Sequence, residues 1–209
     1  MPTAIKICGL TTASALDAAI MARADYAGFV FHPASPRHLD LNAAAALAER
    51  AEGRIARVGL FVDATNEAIN AAIAAARLDV LQLHGQESPD MVGQLKARFG
   101  LPVWKAIPVA SRDDVARAAA YDAADLILFD AKTPKGTLPG GMGLAFDWAL
   151  LLGWKGMAWG LAGGLTPVNV ADAIRQTKAP LVDTSSGVET SPGVKDAGLI
   201  RAFCLAASG

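Results

Sequence analysis

The chain has little of what marks a specialised surface. Only two of its 209 residues are cysteine, Cys8 and Cys204, and they lie at opposite ends. A disulfide framework is therefore excluded. One bridge is geometrically conceivable, but an intracellular chain keeps such thiols reduced. Charge of either sign is also scarce. Lys and Arg number 19 and Asp and Glu 20, for a formal net charge of -1. That leaves no basic field of the kind a phosphate backbone demands, so nucleic acid is a poor partner. Long hydrophobic runs are missing too, because Asp, Arg or Gly interrupts each one well short of a membrane span. The opening MPTAIKICGL lacks the basic region and long apolar stretch of a secretory signal. A soluble, cytoplasmic protein without a membrane partner is expected. The three histidines and two cysteines show no ligand spacing, so no metal site is expected.

What is present is a large apolar fraction, 53%, against 19% charged residues. A chain of this length and composition can build a substantial core. The pattern along it alternates: short β-prone runs are followed by longer Ala-rich runs of helical period. AIKIC precedes TASALDAAIMARA, YAGFVF precedes LNAAAALAERA, and ARVGLFV precedes TNEAINAAIAAA. DVLQLH precedes SPDMVGQLKARF, PVWKAI precedes SRDDVARAAAY, and DLILFD precedes AFDWALLLG. GMAWGLAG precedes PVNVADAIRQT, and PLVDTS precedes DAGLIRAFCLAA. Helix starts carry their own signals. Ser88 before Pro89 and Thr166 before Pro167 read as an N-cap followed by a first helical residue. Ser111 with Asp114 reads as a capping box with Asp in place of Glu. Several strands are almost wholly apolar, as in a parallel sheet buried on both faces.

Eight such pairs predict an α/β protein with a closed (β/α)8 TIM barrel, forming one domain over residues 1–209. The alternative is an open doubly wound sheet. Its dinucleotide signature is missing: GGMGLAF offers Gly141 and Gly143, but Phe146 stands where the third small residue belongs. There is no P-loop either.

In a barrel, catalytic groups project from the C-terminal ends of the strands. Reading each strand to its end gives Cys8, His32 and Arg37, Asp63, His84, Asp130, Gly163 with Gly164, and Asp183 with Ser185 and Ser186. Cys8 is either a packed small hydrophobe or a base or nucleophile facing the mouth. Asp130 is either a cap or ion-pair partner of Lys132 or Lys135, or a carboxyl group that keeps its proton and acts as a general acid. The segment from Ala131 to Gly143 is longer than a barrel needs and suits a lid. LAGGLTP and DTSSGVE place small residues where loops seven and eight of many barrels bind phosphate through backbone donors. His84 suits a supporting role better than that of a base, and His32 and His38 read as loop residues. Arg37 has the fork that grips a carboxylate, although alone it would pass for a surface arginine.

Taken together, KICGLT, GFVFHPASPR, LQLHG, FDWALL, LAGGLTPVNV and VDTSSGVETSPGVKD resemble phosphoribosylanthranilate isomerases of tryptophan biosynthesis. The match follows the family order over nearly the whole chain. The resemblance implies a barrel that needs no cofactor and acts on a small phosphorylated substrate. It implies an Amadori rearrangement, with Cys8 as general base and Asp130 as general acid. It gives Arg37 the anthranilate carboxylate, and Gly163, Gly164, Ser185, Ser186 and Gly187 the phosphate. His84 and Asp183 are added to the substrate-binding set. Met142 and Thr184 depart from what many relatives carry. Family members occur as monomers and homodimers, and the sequence does not choose. Competing expectations are a histidine-pathway type of sugar-phosphate isomerase and a non-catalytic phosphosugar-binding barrel. The former would be expected to carry an aspartate where Cys8 stands.

Overall fold

The structure is a computed structural model, described over residues 2–133 and 143–209. Lys135, Gly141, Met142 and most of the expected lid lie outside the described residues.

Eight parallel strands close into a barrel in sequence order. They are β1 (Ala4–Cys8), β2 (Tyr26–Val30), β3 (Ala56–Phe61), β4 (Val80–Leu83), β5 (Val103–Val109), β6 (Leu126–Ala131), β7 (Trp159–Leu161) and β8 (Leu181–Thr184). Closure comes from β1 pairing with β8, with Lys6 in register with Asp183. The helices are α1 (Ala13–Met21), α2 (Leu41–Ala51), α3 (Asn66–Ala76), α4 (Pro89–Phe99), α5 (Arg112–Arg117), α6 (Val170–Thr177) and α7 (Ala197–Ala207).

Alternation along each strand divides the core in two. In β1, Ile5 and Ile7 join the large cluster shared with the helices. Ala4 belongs instead to a smaller cluster with Val58, Val80, Trp104 and Leu128 at the base of the barrel interior. Cys8, Val30 and Leu60 form a third cluster at the opposite end. Fully buried Lys6 and Gln82 sit on the inward-facing positions between them. The helices bury the stripe their sequences announce. In α2 this is Ala44, Leu47, Ala48 and Ala51. In α7 it is Ile200, Phe203, Cys204 and Ala207, which makes Cys204 a core residue.

Local signals set most helix starts. Ser88 caps α4 with Pro89 in its first turn, and Ser111 and Asp114 form a reciprocal capping box on α5. Thr166 does not cap α6. Asn169 is the N-cap, and its side chain turns back to accept from the Thr166 N–H at 2.8 Å and donate to the Gly164 carbonyl at 3.0 Å. The expected sixth helix, AFDWALLLG, contains only a 3₁₀ turn over Trp148–Leu151. Its place against β6 is taken by aromatic packing. Trp154 meets Phe129 edge-on at 5.3 Å and donates its indole N–H to the Met157 carbonyl. Tertiary contacts of that kind outweigh a short helical pattern.

One buried ion pair lies outside the barrel interior. Lys105 on β5 bonds Glu87 at 2.9 Å and the Gly85 carbonyl at 2.8 Å, with both charged side chains 2% exposed. Tyr121 caps the group, with its hydroxyl donating to the Glu87 carbonyl and its ring 5.8 Å from the ammonium. Removing one partner strands the other charge in the core. Lys105→Ala is expected to cost about 3–5 kcal/mol of folding stability, measured by urea unfolding. A loss below about 1 kcal/mol would show that water reaches Glu87 freely.

Candidate active site

The C-terminal ends of the strands surround one pocket. Cys8, Arg37, His84, Asp130, Gly163, Gly164, Asp183, Ser185, Ser186 and Gly187 all line it. So do His32, Ser35 and the apolar side chains of Val30, Leu60 and Val62. The strand-end residues read from the sequence therefore meet at one mouth, except Asp63, which is outside the lining and accepts the Gln86 N–H instead.

On the β1 side, Cys8 is only 4% exposed. Gly28 stands beside it on β2, and a side chain there would meet the sulfur at 2.9 Å. The thiol thus occupies space that only glycine leaves. Burial pushes the Cys8 thiol up, and the Asp183 carboxylate adds to the rise. The Lys6 ammonium and, more weakly, Lys195 pull it back. Lys6 itself is fully buried and donates to both oxygens of Asp183, at 3.0 and 3.1 Å. Burial works against its charge, but Asp183 and Cys8 together hold it above the ordinary lysine range. Asp183 was included among substrate contacts on sequence grounds, yet its carboxylate is engaged by Lys6.

On the β6 side, Asp130 accepts the Ala131 N–H on Oδ1 at 2.8 Å and faces His84 Nε2 with Oδ2 at 3.2 Å. The possible partner Lys132 reaches Asp114 instead, at 3.4 Å. Gly163 allows loop seven to pass this carboxyl group closely. Its φ is +84°, and a Cβ would come within 2.5 Å of the Ala131 nitrogen and 3.1 Å of Asp130 Oδ1.

Loops seven and eight lock together below the small residues. Thr184 donates its hydroxyl to the Leu165 carbonyl at 2.7 Å. Gly187 packs so near that a Cβ would lie 2.0 Å from the same oxygen. Ser185 is partly committed within the protein, because its hydroxyl donates to the Cys8 carbonyl at 3.1 Å and accepts from Lys195 at 3.2 Å.

Arg37 is not an ordinary surface arginine. It is 8% exposed, and its Nε and Nη2 grip Glu189 at 2.8 and 2.7 Å. Glu189 also takes Lys195, whose side chain is 1% exposed. Against burial, those two cations hold the Glu189 carboxyl below the usual range. Glu189 and Lys195 lie on a two-stranded hairpin, β9 (Glu189–Ser191) and β10 (Val194–Lys195). Sequence reasoning missed both residues. The Pro192-Gly193 turn between them was the available signal. Lys6 was missed as well, hidden inside a strand that otherwise reads as apolar.

With this geometry in view, the comparisons with known proteins identify the family. The family described as N-(5'phosphoribosyl)anthranilate (PRA) isomerase matches residues 5–206. The chain belongs to that family. A relative named N-(5'-phosphoribosyl)anthranilate isomerase from Rhodopseudomonas palustris (strain BisA53) is 55% identical over 99% of this chain and 96% of its own length. One of the same name from Paracoccus denitrificans (strain Pd 1222) is 53% identical over 100% and 98%. Among solved structures, phosphoribosyl anthranilate isomerase from Thermotoga maritima superposes with a TM-score of 0.89 at 35% identity, covering 98% of each chain. A phosphoribosyl anthranilate isomerase has also been solved in complex with reduced 1-(o-carboxyphenylamino)-1-deoxyribulose 5-phosphate. It has a TM-score of 0.87 at 33% identity, again over 98% of each chain.

In the free protein, alkylation of Cys8 by iodoacetamide should show a midpoint above the ordinary thiol value of about 8.5. Lys6→Met should move it further up, because the ammonium is the group that favours the thiolate. Mass spectrometry separates this from Cys204, whose thiol burial pushes up to about 11, with Asp25 adding to the rise. A midpoint that falls in Lys6→Met would remove Lys6 from the thiolate's support.

Proposed function

We propose that this mouth carries out the Amadori rearrangement of N-(5-phosphoribosyl)anthranilate to 1-(2-carboxyphenylamino)-1-deoxyribulose 5-phosphate, a step of tryptophan biosynthesis, by general acid/base catalysis. The observation that carries the reading is the convergence of a β1 thiol and a β6 carboxyl group on one pocket, in a chain of this family. The ligand held by the related structure has a carboxyphenyl group at one end and a phosphate at the other. The pocket has a matching polarity, with Arg37 on loop two and the small residues of loops seven and eight elsewhere on its wall.

In this mechanism Asp130 gives a proton to the furanose ring oxygen. The ring opens as the anilino nitrogen donates its electron pair and forms an iminium ion. That cation acidifies the proton on C2′, and the Cys8 thiolate removes it. The resulting enolamine tautomerises to the ketone. Burial disfavours the thiolate in the free protein. Lys6 already works in the opposite direction, and the iminium charge adds a second cation when it is needed. Arg37 orients the anthranilate carboxylate, and Gly163, Gly164, Ser185, Ser186 and Gly187 orient the phosphate. Grips remote from the reacting carbons supply orientation, which contributes roughly 7–11 kcal/mol at best. All the proposed groups come from one chain, so the reading holds for a monomer or a homodimer. A cytoplasmic setting is part of the same proposal, supported by the lack of any helix among the described residues long and apolar enough to cross a membrane.

Freshly prepared phosphoribosylanthranilate is fluorescent, and loss of that signal follows turnover. Cys8→Ser and Asp130→Asn should each lower kcat by about 10²–10⁴ with little change in KM. Arg37→Ala should chiefly raise KM. Near-normal kcat in Cys8→Ser would remove the thiol from the mechanism, and an unchanged KM in Arg37→Ala would remove the carboxylate grip.

A further inference from the structure

The chemistry above leaves Gln82 without a role. It lies inside the barrel on β4, fully buried. Its Nε2 is 3.1 Å from Nδ1 of His84, while its Oε1 has no hydrogen-bond partner. His84 in turn presents Nε2 to Asp130 at 3.2 Å. The three side chains form one line, from amide to imidazole to acid.

Counting hydrogens along that line gives two consistent arrangements. With the amide as placed, Gln82 donates to Nδ1, which is then bare. The single imidazole hydrogen sits on Nε2 and points at an ionised Asp130. Adding one proton to the His84–Asp130 pair changes this. Whether the proton sits on Asp130 Oδ2 or makes the ring an imidazolium, Nδ1 now carries hydrogen and needs an acceptor. A half-turn of the Gln82 amide supplies the orphaned Oε1 at that place. The half-turn leaves Nε2 in the place that Oε1 held, so it is the hydrogen on Nδ1, carried or missing, that selects the orientation of the amide.

We propose that Gln82 is a positioning residue whose amide turns with the proton load of the His84–Asp130 pair, Oε1 facing Nδ1–H when the pair is loaded and Nε2 facing bare Nδ1 when it has been discharged. The inference rests on the reading of Asp130 as the general acid and adds how its proton is held. The loaded form is the one that can protonate the ring oxygen. Other charges act on the pair as well. Asp183, on β8, repels an ionised Asp130 and attracts a protonated His84. Lys6, on β1, largely offsets Asp183 through their ion pair. Cys8 adds negative charge to this side of the mouth only when ionised.

The test uses the ¹⁵N-labelled wild-type protein, whose three histidines make the ring nitrogens assignable. At high pH, His84 should carry its hydrogen on Nε2. As pH falls, Nδ1 should become protonated, and the Gln82 side-chain amide resonances should shift with the same midpoint. Amide resonances that stay fixed while the His84–Asp130 pair titrates would overturn the proposal, and so would an Nδ1–H ring at high pH. A second arm uses Gln82→Glu, whose carboxylate can only accept from Nδ1–H. It should move the alkaline limb of the kcat profile to higher pH by about one unit or more. An unmoved limb or a downward shift in a folded variant would count against the proposal. Absence of turnover in the wild type would defeat the isomerase reading instead, and the resonance experiment does not depend on it.

Discussion

The bond between Lys6 and Asp183 is the constraint on which the site depends. The two residues are in register across the seam where β1 meets β8 and the barrel closes. They are also the charges nearest the proposed base. Burying such a pair is a weak source of stability, because removing two ions from water costs several kcal/mol each. Well-packed apolar side chains would close the seam as effectively. What apolar residues cannot supply is a fixed positive charge beside a buried sulfur. Without the carboxylate, burial would press the ammonium towards its neutral form, and without the ammonium the thiol would be pushed further from ionisation.

The opposite side of the mouth is built on another principle. Asp130 meets no lysine or arginine among the described hydrogen bonds and ion pairs. Its neighbours are a backbone N–H and an imidazole. A cation locked against it would hold it ionised and spoil it as a proton donor. The sequence offers such a cation two residues away in Lys132, but the fold directs that side chain to Asp114. The β1 thiol and the β6 carboxyl group therefore receive contrasting surroundings, one next to a buried ion pair and the other next to a backbone N–H and an imidazole.

Much of this was legible in the sequence because it was written in periodicity and in end-of-strand chemistry. The strands of β1 and β4 and the helix α2 follow directly from apolar spacing, and the barrel rule then brings Cys8 and Asp130 to one end. Three things were not legible. The 3₁₀ turn at Trp148–Leu151 has a helical pattern locally, and only the packing of Trp154 on Phe129 shows why a full helix does not form. Lys6 and Gln82 are single polar residues within apolar strands, and pattern alone does not say that the barrel interior has a polar layer. Glu189 is six residues past Asp183 in sequence, and its pairing with Arg37, 152 positions away, is a product of topology.

That pairing bears on how a carboxylate ligand would be received. Two cations, Arg37 and Lys195, share the single carboxylate of Glu189. The cluster of three thus has one net positive charge while its members are individually satisfied. Burial presses Lys195 towards its neutral form, and Glu189 opposes that. Arg37 is also held edge-on by Nε and Nη2, so its guanidinium plane is oriented before any ligand arrives. An arginine otherwise loses rotamer freedom on binding, at a cost of about 2 kcal/mol or less. Here Glu189 bears that cost during folding, and the guanidinium at the wall of the pocket is already oriented.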